Sequence, residues 1–276
     1  MKLQVVLLAA GAIFLTACSS GSSAPEPGTP GFAWNAARQA YRIGDMTRAN
    51  DSLSELQQRD NGFTPRARIW QIVLAGGMAQ GYCDLADGYA SGARLNRANS
   101  LPFYKQVTAL RAMASHTAMD FTQAVHTFVN RDPSQEVQLA FELPPGSITE
   151  PVALRRPYAG IPMQDAEAQA LETAMVERGV LRALCLAAGS KDDSAQALER
   201  FRAEEVKTPR ATFLYAAAKM LFDVSDVFSP NKMDQPQRLR VMLNEATAAL
   251  GSVAETKESA ALNKKIQAVL KRIPGA

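Results

Sequence analysis

Residues 76–93 read "GGMAQGYCDLADGYASGA" and form the most unusual stretch of this chain. Five glycines fall within these eighteen residues, although a glycine inside a helix costs about 1 kcal/mol relative to alanine. The apolar residues nevertheless continue a helical spacing that begins near Pro65. We therefore expect a continuous helix, with a turn at Gly76-Gly77 as the alternative.

Four of the glycines share one face of that helix. At about 100° per residue, Gly77, Gly81, Gly88 and Gly92 lie within about 60° of one another. A glycine stripe lets another backbone approach closely, and the tighter packing offsets the low helix propensity of glycine. We expect these glycines to form a tight seam within the chain or, alternatively, to contact a partner helix. Leucine at Gly81 or Gly88 should then overpack the seam and cost on the order of 1–3 kcal/mol.

The amino-terminal segment has the pattern of a secretory signal. Its apolar run, residues 3–15, is too short to span a bilayer of ~30 Å at ~1.5 Å per residue. The run ends in Leu15-Thr16-Ala17-Cys18, which resembles the lipobox of bacterial lipoprotein precursors. The resemblance implies cleavage before Cys18 and lipid attachment to it, so residues 1–17 become a signal peptide. The alternatives are an ordinary signal peptide with an incidental cysteine and a buried apolar helix.

The lipoprotein resemblance also implies a location. Acyl chains on Cys18 would hold the protein firmly to a membrane, and Ser19, rather than aspartate, favours the outer membrane in Gram-negative lipoproteins. Residues 18–31 are rich in Ser, Gly and Pro and predict a flexible tether of up to ~40 Å. We therefore expect a lipid-anchored protein of the cell envelope whose domain, residues 32–276, faces the periplasm.

Composition limits the function classes. Only Lys2 is charged in the signal segment, so the mature chain has a net charge near +2, which argues against nucleic acid as a partner. No second segment is long and apolar enough to span a membrane. Cys83 and Cys185 lie in alanine-rich helical settings and are either two buried thiols or one disulfide.

The start of the domain resembles a tetratricopeptide repeat. Two helical faces flank a Gly44-Asp45 turn, and the residues that fit the repeat are Trp34, Ala37, Tyr41, Gly44, Asp45, Ala49 and Leu53. Thr64-Pro65 then starts another helix as N-cap and first residue, 33 residues after Phe32. A looser match recurs around Gly189, Ala195 and Leu198. We expect an all-α fold, a divergent tetratricopeptide-like helical repeat or α-solenoid.

Further amphipathic stretches predict the remaining helices. They cover residues 99–129 (one helix or a close pair), 164–188, 192–204, a segment starting at Thr208-Pro209, 236–250 and 257–273. The last of these is basic, and it either closes the array or binds an anionic membrane surface.

One block, residues 135–162, departs from the helical spacing. Val137, Leu139 and Phe141 alternate with polar or small residues as in a strand. We expect a non-helical insertion containing a small hairpin. Its side chains Arg155, Arg156 and Tyr158 are candidate contacts for a partner, and the alternative is a solvated connector.

Residue types that carry chemistry are sparse. His116 and His126 lie ten residues apart on one predicted helix, ~15 Å along its axis, so they cannot share a metal. Asp120 can join His116, but two ligands are too few for a zinc site. No phosphate loop, nucleophile elbow or acid–base pair is recognisable. We expect no catalytic site, no metal and no cofactor.

The sequence thus favours a non-enzymatic helical scaffold or adaptor for protein partners in the bacterial envelope. The alternatives are a small-molecule-binding lipoprotein that serves a solute transporter and a cell-wall enzyme without a recognisable site. An enclosed apolar cavity would favour the small-molecule alternative, whereas an open groove lined by exposed polar and aromatic residues would favour the adaptor.

Overall fold

A computed structural model describes residues 25–139, 146–190, 198–199, 201 and 206–274. Most of this part of the chain is helical, which confirms the all-α prediction. The helices are α1 (Pro30–Arg42), α2 (Met46–Leu56), α3 (Thr64–Leu95), α4 (Leu101–Arg131), α5 (Arg155–Tyr158), α6 (Asp165–Ala187), α7 (Arg210–Ser225), α8 (Pro236–Gly251) and α9 (Lys257–Leu270). The strands are β1 (Glu136–Leu139) and β2 (Val206–Pro209).

The first two helices form the expected hairpin. Thr29 caps α1 by accepting a hydrogen bond from the Phe32 N–H at 3.3 Å, and Asp45 caps α2 by accepting from the Arg48 N–H at 3.1 Å. Gly44 turns the chain between them with a φ of +82°, which glycine adopts without strain.

Aromatic rings fix this hairpin to the start of α3. The Trp34 ring lies 5.5 Å from that of Phe63 and 5.2 Å from that of Trp70. Thr64 is the first residue of α3 rather than its N-cap, because its hydroxyl accepts a hydrogen bond from the Asn61 N–H instead. The chain therefore enters the domain beside the amino end of α3, which we call the tether end.

Helix α3 is the centre of the molecule. It runs unbroken for 32 residues through Gly76-Gly77, so the alternative of a turn there is wrong. Residues 67–79 are all buried and, apart from Arg68 and Gln71, apolar, as expected for a helix at the centre of a protein. It contacts α2, α4, α5, α6, α7 and β1, whereas a solenoid repeat contacts only its neighbours. The other helices are thus arranged around α3.

Two long helices lie antiparallel to α3. Helix α4 is a single helix of 31 residues whose Phe121 packs near Gly76 and whose Phe103 packs near Gly92. Helix α6 covers another side of α3. Helix α7 packs against α3, α4, α6 and α8, and α8 carries α9, the predicted terminal helix.

The predicted strand forms, but its partner is distant. Residues Val137 and Leu139 lie in β1, which pairs with β2 in antiparallel register, Val137 opposite Thr208. The helix predicted to start at Thr208-Pro209 starts instead at Arg210, because Thr208 is buried in the two-stranded sheet. Residues 155–158 are a helical turn within the block expected to be non-helical. Phe141 and most of residues 192–204 lie outside the described residues.

Candidate functional site

The glycine stripe faces residues of the same chain. A Cβ on Gly77 would meet the Val180 backbone nitrogen at 2.7 Å, and one on Gly81 would meet Val176 Cα at 2.9 Å. Gly179 of α6 completes the contact, since a Cβ there would clash with the Gly77 carbonyl oxygen. These three glycines form a glycine seam in which two helix backbones touch. Gly179 was not among the predicted residues, because nothing local in the sequence marks it as the partner of α3.

The remaining two stripe glycines lie under a different element. A Cβ on Gly88 would meet the Tyr158 ring at 3.2 Å, and one on Gly92 would meet the Pro157 carbonyl oxygen. Residues 152–163, which we call the cover segment, therefore close over the last turns of α3. Two buried side chains, Leu154 and Pro157, anchor this segment.

Polar contacts hold the cover segment to both neighbouring helices. Asn96 donates to the Gly160 carbonyl oxygen at 3.0 Å, and the Tyr89 hydroxyl lies 3.8 Å from the Met163 sulfur. Arg156 donates to both carboxylate oxygens of Glu167 at 2.9 Å. Of the three candidate contacts in this block, Arg156 is thus already paired within the chain.

The other two candidates, Arg155 and Tyr158, belong to an exposed surface at the end of α3. Three parts of the chain meet here: the end of α3, the start of α4 and the cover segment. We define the distal surface by its apolar members Leu95 (67% exposed), Leu101 (65%), Tyr104 (51%), Val152 (74%), Tyr158 (42%) and Ile161 (48%), and its basic members Arg94, Arg97, Lys105 and Arg155. All six apolar side chains belong to the three segments that meet around Gly92, and exposed apolar side chains concentrated in one region are typical of interaction sites.

A charged row borders the distal surface along the flank of α3. Asp84 accepts from Gln80 at 2.7 Å and lies 3.6 Å from Arg178 and 3.5 Å from Arg182 of α6. One turn further, Asp87 pairs at 2.8 Å with Lys232, which also pairs with Asp226. These pairs join α3 to α6 and to the loop before α8.

Burial acts on the pKa of one acid and one base in this row, Asp84 and Lys232. It raises the pKa of Asp84, against the opposing effects of Gln80, Arg182 and Arg178. Burial alone would lower the pKa of Lys232, but its hydrogen bonds to Asp87 and Asp226 outweigh this and raise it. All the charged groups of this row have ion-pair partners. The row therefore stabilises contacts between helices and does not present an unpaired acid or base for catalysis.

Nucleophiles and metal ligands are dispersed. Cys83 and Cys185 are both buried and not joined in a disulfide, and burial raises the pKa of the Cys83 thiol to about 12. His116 lies 3.7 Å from Asp120, and His126 lies 3.0 Å from Glu245 of α8. Among the described residues, no three His, Cys, Asp or Glu side chains are placed to hold a metal ion together.

A pocket of about 250 Å³ opens at the tether end, between the start of α1 and the end of α2. Its lining includes the polar residues Thr29, Glu55, Gln58, Arg59 and Asn61, whereas small-molecule sites are lined mainly by apolar side chains. No helix within the described ranges has the length and apolarity to cross a bilayer. Cys18 and the rest of residues 1–24 lie outside those ranges.

No family model, curated protein or solved structure matches the chain.

Proposed function

We propose that this chain is a membrane-tethered, non-enzymatic adaptor that holds a protein partner at its distal surface. The observation that carries the proposal is the exposure of six large apolar or aromatic side chains where α3, α4 and the cover segment meet. Covering exposed apolar side chains of this size with a partner removes them from water and so lowers the free energy of the complex.

The position of the distal surface supports a role away from the anchor. The chain enters beside Trp34, next to the start of α3, and α3 then extends for 32 residues. At ~1.5 Å per residue, its far end lies ~48 Å from the tether end. A domain held by its tether end to a membrane can thus present the distal surface to the aqueous compartment.

The anchor itself rests on the lipobox resemblance of residues 15–18. We propose that Cys18 carries the lipid and that the outer membrane holds the protein facing the periplasm. The tether predicted over residues 18–31 is limited to residues 19–29 in this proposal, because α1 begins at Pro30. The tetratricopeptide resemblance is proposed only for the α1–α2 hairpin, where the Gly44 turn and the small residues at the helix contact support it.

The anchor is tested by Cys18→Ser in cells fed a clickable fatty acid. We expect labelling to disappear and the protein to leave the membrane fraction or to persist as an uncleaved precursor. Undiminished labelling would overturn the assignment of Cys18.

Partner docking is tested by a photoreactive amino acid placed at single positions in cells. Leu101 and Val152 probe the distal surface, while Val241 is a matched control because it is 51% exposed and lies on α8, which contributes no residue to the distal surface. We expect a protein adduct from both distal positions and none from Val241, with the partner identified by mass spectrometry. Absence of adducts from both distal positions, or equal adducts from all three, would contradict the proposal.

A further inference from the structure

We infer that the distal surface recognises an acidic amphipathic segment of its partner protein. In this complex the partner's apolar side chains cover residues such as Leu95 and Leu101, while its carboxylates pair with Arg94, Arg97 and Arg155. The inference rests on the proposed function and specifies the chemistry of the partner.

The first support is the distribution of charge along the chain. No acidic residue occurs between Asp87 and Asp120, which covers the end of α3 and the start of α4. None occurs between Glu150 and Asp165, which covers the whole cover segment. Both acid-free stretches meet at the distal surface and supply its cations, Arg94, Arg97, Lys105 and Arg155.

The second support is that these four cations are available. They are exposed, and within the described residues none of them forms an ion pair. Arg156 shows the contrast, because Glu167 neutralises it through two hydrogen bonds of 2.9 Å. The nearest acid on α3, Asp87, is engaged by Lys232. Asp84, Asp87 and Glu150 lie close enough to Tyr158 to act on it electrostatically, but none of them forms an ion pair with Arg94, Arg97, Lys105 or Arg155 within the described residues.

The third support is the alternation of cationic and apolar side chains. Arg94 and Leu95 at the end of α3, and Tyr104 and Lys105 at the start of α4, are all exposed, so cationic and apolar side chains occur together at both helix ends. A guanidinium binds a carboxylate through two parallel hydrogen bonds, and arginine and tyrosine are enriched at protein interfaces. Such a surface fits a segment that presents apolar and acidic residues together.

The same charges argue against two other occupants. A second copy docked through this surface about a two-fold axis would place cations against cations, and like charges facing each other oppose association. An anionic membrane carries the matching charge, but the tether end lies ~48 Å away along α3. We therefore assign the surface to a protein segment and treat the other occupants as outcomes of the test.

The test combines the photoreactive group at Leu101 with charge reversal. The distal variant carries Arg94→Glu, Arg97→Glu and Arg155→Glu. The matched control carries Arg66→Glu, Lys264→Glu and Lys265→Glu, which make the same change in net charge at exposed positions elsewhere. Melting curves and far-UV circular dichroism should be equal for both variants.

With the partner well below saturation, adduct yield is proportional to affinity, so we expect the distal variant to lower the yield of the protein adduct about tenfold through a tenfold loss of affinity, and the control to leave it unchanged. The cross-linked partner peptide should carry net negative charge and apolar residues at helical spacing. As a lipid control, the purified domain should not sediment with vesicles of phosphatidylcholine and phosphatidylglycerol.

Each other outcome contradicts the inference in a distinguishable way. A protein adduct that survives distal charge reversal, or maps to a neutral or basic segment, overturns the acidic partner but leaves the adaptor function intact. An adduct with a phospholipid or with a second copy of the chain overturns the assignment to a protein partner. No adduct from Leu101 or Val152 in the unmutated background overturns the adaptor function itself.

Discussion

From Ala67 to Ala79, helix α3 is buried on every side, whereas from Asp84 to Leu95 charged and exposed residues interrupt its buried positions. The first half is held by the α6 backbone at the glycine seam. The second half is covered by side chains and by the irregular cover segment. Backbone contacts cannot adjust, while side chains can rotate, so a Cβ added at the glycine seam should cost more stability than one added at Gly88, which faces the Tyr158 ring. Gly92 is the exception in the second half, because a Cβ there would meet the Pro157 carbonyl oxygen.

Between the two halves of α3, the largest difference in stability is expected at the glycine seam. Gly81→Ala forces a Cβ to within 2.9 Å of Val176 Cα, so the two helices must separate at a cost on the order of 1–3 kcal/mol. Gly88→Ala is the matched control, because its Cβ meets a Tyr158 ring that can shift and the change favours the helix by about 1 kcal/mol. Urea unfolding of both variants measures the difference. Equal changes in stability would show that the two halves of α3 do not differ.

A smaller effect is expected at the charged row. Arg178 is 14% exposed, faces Asp84, and donates to the Ile148 carbonyl oxygen at 3.1 Å. Arg178→Met leaves these acceptors without this donor and should cost about 1–2 kcal/mol. Arg155→Met removes an exposed arginine of the distal surface and should stay within about 0.5 kcal/mol of wild type. Similar melting temperatures for the two variants would rule out a structural role for the row.

The charged row should also give stability a pH dependence. Because burial raises the pKa of Asp84 in the folded state, the folded chain binds this proton more tightly than the unfolded chain does. Asp84 therefore contributes stability that is present below its unfolded pKa and lost as the pH rises through its folded pKa. Asp84→Asn should remove this loss of stability at rising pH. Asp165→Asn, at an exposed position, should leave the loss in place. Urea unfolding over a pH series that starts below the ordinary aspartate pKa tests the difference, and parallel curves would contradict it.

Local signals in the sequence predicted the first half of α3 well. Helical spacing and the alignment of Gly77 and Gly81 sufficed, because both depend only on residues near one another in the chain. The α1–α2 turn at Gly44 was predictable for the same reason.

Contacts between distant segments were not predictable in this way. Gly179 lies about a hundred residues from the helix that it touches, and β1 finds its partner only at β2. The distal surface depends on which helix ends meet. The sequence around Leu95 and Leu101 does not indicate that these two leucines stay exposed. The missing acids between Asp87 and Asp120 were a usable signal, since an unbalanced run of cations often marks an interaction site.

The smallest effect on stability is expected at the distal surface. A pair of leucines on α4, one buried and one exposed, tests this expectation. Leu101 is 65% exposed and Leu110, on the same helix, is 1% exposed. Leu110→Ala removes buried methyl groups and should cost about 2–5 kcal/mol, whereas Leu101→Ala should stay within about 0.5 kcal/mol of wild type. If Leu101→Ala also reduces the photoadduct formed at Val152, then this leucine serves binding rather than folding. A loss of stability in Leu101→Ala comparable to that in Leu110→Ala would instead place the distal surface in the folding core.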